Sequence, residues 1–280
     1  MNRPLIKSGK FHAGADLRCG ENVVIDVADE CIVGDRCVLP DNAYLGGRSV
    51  KLGDDFYGYS WEWRRLEVGR GRRDEEHAAL TVGDRCTFHD NKIDLSAPVV
   101  IGDDVGLSPE VTIYTHHYWL SLLEGYPQRI DGVTIGNGVI VGYRSTVLAG
   151  ARIGNNAVIG AQSVVNGMVV GGKVWGGNPL RMLKEEAKPY PSNIKSMLLK
   201  QWVEEYARTC IYRKLPAEMV YFDAGASYPL IKFRRLEINA QTGQAAGEED
   251  EYTDDFRLWL FKRGVRAYTK RPFRALGRNP

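Results

Sequence analysis

A six-residue period is the feature that most restricts what this chain can fold into. From Ile135 to Val170 the phrases open on Ile135, Val141, Val147, Ile153, Ile159 and Val165. A small or β-branched residue follows four places later each time: Val139, Ser145, Ala151, Ala157, Ser163 and Val169. Such a period fits neither the 3.6 spacing of an amphipathic helix nor the alternation of a strand hairpin. It fits a solenoid in which each phrase is one short strand and a corner, so that stacked phrases bury a continuous aliphatic column. Three phrases then make one turn of a three-sided coil.

The period runs less cleanly through residues 1–56, where Val33, Leu39 and Leu45 step by six. It lapses over 57–80, a stretch holding Trp61, Trp63, the basic run Arg70-Gly71-Arg72-Arg73 and the acidic run Asp74-Glu75-Glu76. This reads as a loop insertion, its first half packed through the tryptophans and its second half either solvated or functional. The period resumes at Val82 and Phe88 and continues through Ile101, Leu107 and Ile113. Counting on from Ile113, the small inward slot falls on His117, where an imidazole fits poorly. The chain is therefore expected to leave the coil at Thr115-His116 and return at Val133-Thr134-Ile135. The excursion, residues 116–132, carries Tyr118, Trp119, Tyr126 and Arg129, and loops on a rigid scaffold are where chemistry concentrates.

A length of 280 residues accommodates one large domain or two ordinary ones. Residues 1–188 are read as the solenoid and 189–280 as a C-terminal helix with a small α+β extension, the boundary marked by Pro189 and Pro191. The helix is expected over about 194–210, capped by Ser192-Asn193, with Ile194, Met197, Leu198, Trp202, Val203 and Tyr206 on its apolar stripe. Met219–Phe222 and Leu230–Ile238 read as strands. Six acids between Glu248 and Asp255 precede eight basic residues between Arg257 and Arg278, blocks that read as solvated faces or tails. Contact of the basic tail with a membrane surface is left open.

The net charge of +2 demands no nucleic-acid partner. No apolar run approaches bilayer length and the start lacks a signal-peptide core, so a cytoplasmic location is expected. The five cysteines form no C-x-x-C pair, which argues against a disulfide framework. Cys37 and Cys86 close the same phrase, Val-Gly-Asp-Arg-Cys, and take the small-residue slot, so they read as packing units.

Several runs resemble the hexapeptide-repeat acyltransferases. They are Ile113-Tyr114-Thr115-His116-His117, Val133 through Gly142, Ile159 through Val165, and Gly177-Asn178-Pro179-Leu180-Arg181. The similar branch contains the maltose, galactoside and xenobiotic O-acetyltransferases. The resemblance is strong over about 80–185, loose over 10–56, and absent from 57–80 and 190–280. It implies a mainly β fold, a left-handed parallel β-helix, assembled as a homotrimer with sites between subunits, and acetyl-CoA as donor with no metal. It also implies one catalytic histidine before the loop: His117 is the first candidate and His116 the alternative. Asp94, His89 and Asn91 fall on the acceptor-binding segment; Gly142, Ala161, Asn166, Arg181 and Lys184 fall on CoA-contacting positions. Ile140 stands where the family commonly has Trp, and Asn166-Gly167-Met168 where it has Thr-Lys-Asp.

Transfer of an acetyl group from a thioester to a hydroxyl needs a base for the hydroxyl proton and a donor for the developing oxyanion. A neutral imidazole and a backbone N–H in a Gly-rich turn suit these tasks. No Gly-x-Ser-x-Gly elbow or distinctive cysteine is present, which favours direct transfer over an acyl-enzyme. The expected activity is O-acetylation of a sugar or polysaccharide precursor. N-acetylation of an amino sugar, antibiotic acetylation, a γ-carbonic-anhydrase-like zinc enzyme built on His89, His116 and His117, and a non-catalytic assembly solenoid are the alternatives.

Overall fold

The computed structural model describes residues 3–60, 64–185, 190–215, 220–223 and 230–271. Trp61, Trp63, Pro189, Met219, Arg274 and Arg278 of the sequence reading lie outside the described residues. The chain divides into two compact units, 1–187 and 188–280.

The first unit is a parallel β-solenoid with three faces. On the first face Ala13, Val33, Leu52, Val82, Ile101, Ile135, Ile153 and Val169 stack through successive parallel pairs, one residue from each of eight coils. The second face runs from Cys19 to Trp175 and the third from Ile6 to Val165 in the same way. The six aliphatic residues that open the phrases from Ile135 to Val165 are at most 3 % exposed. Burying each such side chain is worth roughly 1.5–3 kcal/mol, which is why the period of six persists.

The first corner explains the recurrent aliphatic-Gly-Asp phrase. The Asp35 carboxylate accepts the Ala15 N–H, Asp54 accepts that of Asp35, and Asp84, Asp103, Asn137 and Asn155 continue the series at 2.7–2.9 Å. Each rung satisfies a backbone donor that the turn leaves without a strand partner. Glycine must precede the rung because the next coil's side chain crosses there. A Cβ on Gly83 would lie 2.2 Å from Asp103 Oδ1. Arg36 and Arg85 bridge the stacked carboxylates from outside. In the small slots, the Cys37 and Cys86 thiols donate to the carbonyls of Gly53 and Gly102 at 3.2 and 3.1 Å, and burial pushes both thiols up to about 12. The packing role read from register holds.

Two details of the register differ from the sequence reading. Val169 is a column residue paired with Ile153, not a small-slot residue, because the last coil is shorter: Ile153 pairs sixteen residues on and Ile135 eighteen. The stretch 57–80 is not one insertion. Tyr57–Gly58 and Glu67–Val68 are ordinary solenoid strands. They divide it in two, and residues 69–77 form an excursion at the third corner.

The second unit has a helix α1 (Ser192–Tyr212), strands Val220–Asp223, Leu230–Phe233, Leu236–Asn239 and Ala245–Gly247 in one antiparallel sheet, and a helix α2 (Glu251–Phe261). The α1 stripe is rotated from the expected one. Leu199, Val203, Tyr206 and Cys210 are buried, Met197 is exposed, and Ser192-Asn193 lie inside the helix. Leu230–Ile238 is two strands turned at Arg234, whose φ is +57°. The acidic block is structural, not a solvated tail. Asp250 caps α2, while buried Asp254 pairs with Arg257 and Arg271 and buried Asp255 pairs with Arg213 and Tyr206.

Candidate active site

The third corner concentrates reactive side chains. Asp94, which follows the strand Lys92–Ile93, lies between two excursions because that strand pairs with Glu67–Val68 on one side and Thr112–Ile113 on the other. Residues 69–77 leave the corner from one neighbouring coil and residues 116–130 from the other. The second excursion is a hairpin: His116 pairs with Ile130 and His117 with Arg129 in antiparallel register. Its return strand is pinned to the next coil, where a Cβ on Gly150 would meet the Arg129 guanidinium at 1.7 Å.

Successive strand residues face opposite ways, and the two histidines differ accordingly. His116 is half-buried, with Nδ1 at 2.7 Å from Asp94 Oδ2 and 2.9 Å from Ser96 Oγ. Its ring lies 4.9 Å from that of Tyr118. His117 is exposed. Asp94 Oδ2 also accepts from Thr115 Oγ1 at 2.6 Å and Thr115 N at 3.2 Å, while Oδ1 accepts from Arg72 Nε at 3.1 Å. Burial alone would raise the Asp94 carboxyl. The bonds from Thr115 and His116 more than offset this and hold it down at about 2. A carboxylate that stays charged requires its imidazole partner to present Nδ1–H, which leaves the Nε2 lone pair as the basic atom.

The other predicted acceptor residues are placed differently. Asn91 is fully buried; its side-chain amide donates to the Ser108 carbonyl at 2.8 Å and its oxygen accepts the His89 N–H at 2.8 Å. It shapes the second corner and offers nothing to a ligand. His89 belongs to that corner too, edge-on to Tyr59 at 5.7 Å, with burial lowering its proton affinity. Nearby, Arg64 joins Asp90 and Glu110, and Glu110 also binds Tyr143 and Arg144. Of the donor-side positions, Gly142 and Ala161 stack on the second corner, where a Cβ on Gly142 would lie 2.6 Å from Ala161 N. Asn166 is exposed on the third corner, and Arg181 and Lys184 are exposed on the strand Arg181–Lys184 that closes the solenoid. Among the described residues no group of three or more His, Cys, Asp or Glu is placed to hold a metal ion.

Sequence reasoning missed Ser96, Arg72 and the hydrogen-bonding role of Thr115. Ser96 carries no sequence signal. Arg72 sits in a basic run that reads equally well as solvent-facing.

The comparisons fit this architecture. The family model described as bacterial transferase hexapeptide (six repeats) matches residues 132–167. YvoF of Bacillus subtilis, provisionally named an acetyltransferase, is 37% identical over 132 residues, which cover 45% of this chain and 67% of YvoF. Galactoside O-acetyltransferase of Escherichia coli is 37% identical over 89 residues, 31% of this chain and less than half, 44%, of that enzyme. Among solved structures, the polysialic acid O-acetyltransferase OatWY is 18% identical with a TM-score of 0.47, over 68% of this chain and 93% of its own. With its repeats stacked as described and its likeness to YvoF extending over two thirds of that protein, the chain belongs to the hexapeptide-repeat acetyltransferases.

Proposed function

We propose that the protein is an acetyl-CoA-dependent O-acetyltransferase acting on a hydroxyl of a sugar or polysaccharide precursor, with His116 as general base. The observation that carries this reading is the 2.7 Å contact between His116 Nδ1 and the Asp94 carboxylate at the mouth of an exposed loop. The acceptor hydroxyl gives its proton to His116 Nε2 as its oxygen attacks the thioester carbonyl. The tetrahedral intermediate then expels the CoA thiolate, which takes the proton back from the imidazolium. Asp94 fixes the tautomer and stabilises the imidazolium between these steps, and a positioned base of this kind contributes about 10²–10⁴-fold.

Direct transfer is favoured because the free thiols are poor nucleophiles: burial raises Cys19, Cys31, Cys37, Cys86 and Cys210 alike. Gly142, Ala161, Asn166, Arg181 and Lys184 are assigned to the donor, the last two as partners of its phosphates. The sugar acceptor is supported by the 37% identity to galactoside O-acetyltransferase. The homotrimer implied by the family resemblance is proposed as well, and the 94% and 96% exposure of Trp119 and Leu123 is compatible with cover by another chain.

The test is a mass-spectrometric screen of sugars, nucleotide sugars, amino sugars and aminoglycosides with acetyl-CoA, alongside thiol release. A gain of one acetyl group on a hydroxyl is expected. Acetylation confined to amines would replace the O-transfer reading, and no thiol release with any acceptor would end it. Sedimentation is expected to give three chains per particle.

A further inference from the structure

The excursion at 69–77 lies in the stretch where the family resemblance is absent, yet it reaches the centre of the site. Gly69 leaves the third face with φ +54°, packed so closely on the Gly46 carbonyl (2.4 Å from a built Cβ) that a larger residue would displace the turn. The arginines that follow point two ways. Arg73 reaches toward the N-terminal coils, to Asp26 Oδ1 at 2.6 Å and the Lys7 carbonyl. Arg72 reaches toward the site, to Asp94 Oδ1 at 3.1 Å, and it also bonds Glu75.

We infer that Arg72 is a positioning residue of the acetyl-transfer site. It fixes the rotation of the Asp94 carboxylate. The inference rests on the assignment of His116 as base. Its geometry is a division of labour between two oxygens. Thr115 and His116 bond Oδ2, while Arg72 bonds Oδ1 with support from Ser96 Oγ at 3.3 Å. Without Arg72, Oδ1 loses its only charged partner among the described residues. The carboxylate can then turn about its bond, and His116 loses the fixed direction of its Nε2 lone pair.

The test compares Arg72→Gln, Arg72→Lys and Arg73→Ala in the full chain, with folding checked by circular dichroism. Arg72→Gln is expected to lower kcat about 10–100-fold with KM for acetyl-CoA unchanged, the scale of a misoriented base. Arg72→Lys, which keeps the charge but not the planar fork, is expected to restore only part of kcat. Arg73→Ala, which breaks the anchor facing away from the site, is expected to stay within about threefold of the parent.

Equal losses in Arg72→Gln and Arg73→Ala would show that the excursion acts only through folding, and would overturn the inference. An Arg72→Gln effect confined to acceptor KM would overturn it as well, by making Arg72 a substrate contact. A dead His116→Ala beside an unchanged Arg72→Gln would remove the Arg72 inference and leave the base assignment standing. An active His116→Ala would remove both.

Discussion

Two corners of the same solenoid use aspartate for opposite ends. At the first, Asp35, Asp54, Asp84 and Asp103 each turn a carboxylate oxygen onto a backbone N–H of the preceding coil. At the third, Asp94 also accepts a backbone N–H, from Thr115, yet its remaining capacity goes to Thr115 Oγ1, Arg72 and the His116 ring. The first corner is regular, its rung repeated from Asp35 to Asn155 through six successive coils. The third is interrupted by two excursions in coils that flank Asp94. A carboxylate that only closes a turn can be replaced by any short acceptor. One that must stay charged and point at an imidazole cannot.

Replacing Asp94 with Asn sharpens that contrast most. The amide keeps an acceptor for Thr115 but loses the charge that stabilises imidazolium, so a fall in kcat of about 10²-fold or more is expected in steady-state assays. At the first corner, Gly83→Ala places a Cβ 2.2 Å from Asp103 Oδ1, and urea unfolding is expected to show a loss of about 1–3 kcal/mol.

Acid pH should separate the corners next. The Asp94 carboxyl is depressed to about 2 from the ordinary 3.8. Its stabilising contribution is therefore complete above pH ~4 and disappears as the pH falls through about 2. It amounts to about 2 kcal/mol at neutral pH, so the acid unfolding curve of Asp94→Asn should lie closest to that of the parent at the lowest pH.

Smaller effects follow at the rungs. Asp84→Ala strips the acceptor from the Asp54 N–H and should cost about 1 kcal/mol. Asp84→Asn should cost almost nothing, since Asn137 and Asn155 already fill equivalent rungs with an amide oxygen. A large loss in Asp84→Asn would break the comparison, because charge would then matter at both corners.

The solenoid was legible because its core demands one aliphatic residue at a fixed spacing, and Ile135 through Val165 obey that demand almost without exception. The departure of the chain at Thr115-His116 was legible for the same reason, as the slot where an imidazole would have to be buried. The choice between His116 and His117 lay beyond the register. Once the chain leaves the coil, the period of six no longer governs side-chain direction. The pleat of the hairpin takes over, turning His116 toward Asp94 and His117 to solvent. Arg72 was hidden for a related reason. Its stretch was read as one lapse of 57–80, although Glu67–Val68 restores the coil just before it and so returns the chain to the corner that Asp94 occupies. Asn91 shows the converse. Its family position suggested acceptor contact, but two carbonyls, Ser108 and Val111, hold its amide inside the wall.

The most direct test is the rate of acetyl transfer in His116→Ala and His117→Ala measured side by side, with CoA binding checked by calorimetry in both. The structure predicts that His116→Ala loses about 10²–10⁴-fold in kcat while His117→Ala stays within about threefold, both binding CoA as the parent does. The reverse pattern, an active His116→Ala beside an inactive His117→Ala, would contradict the account.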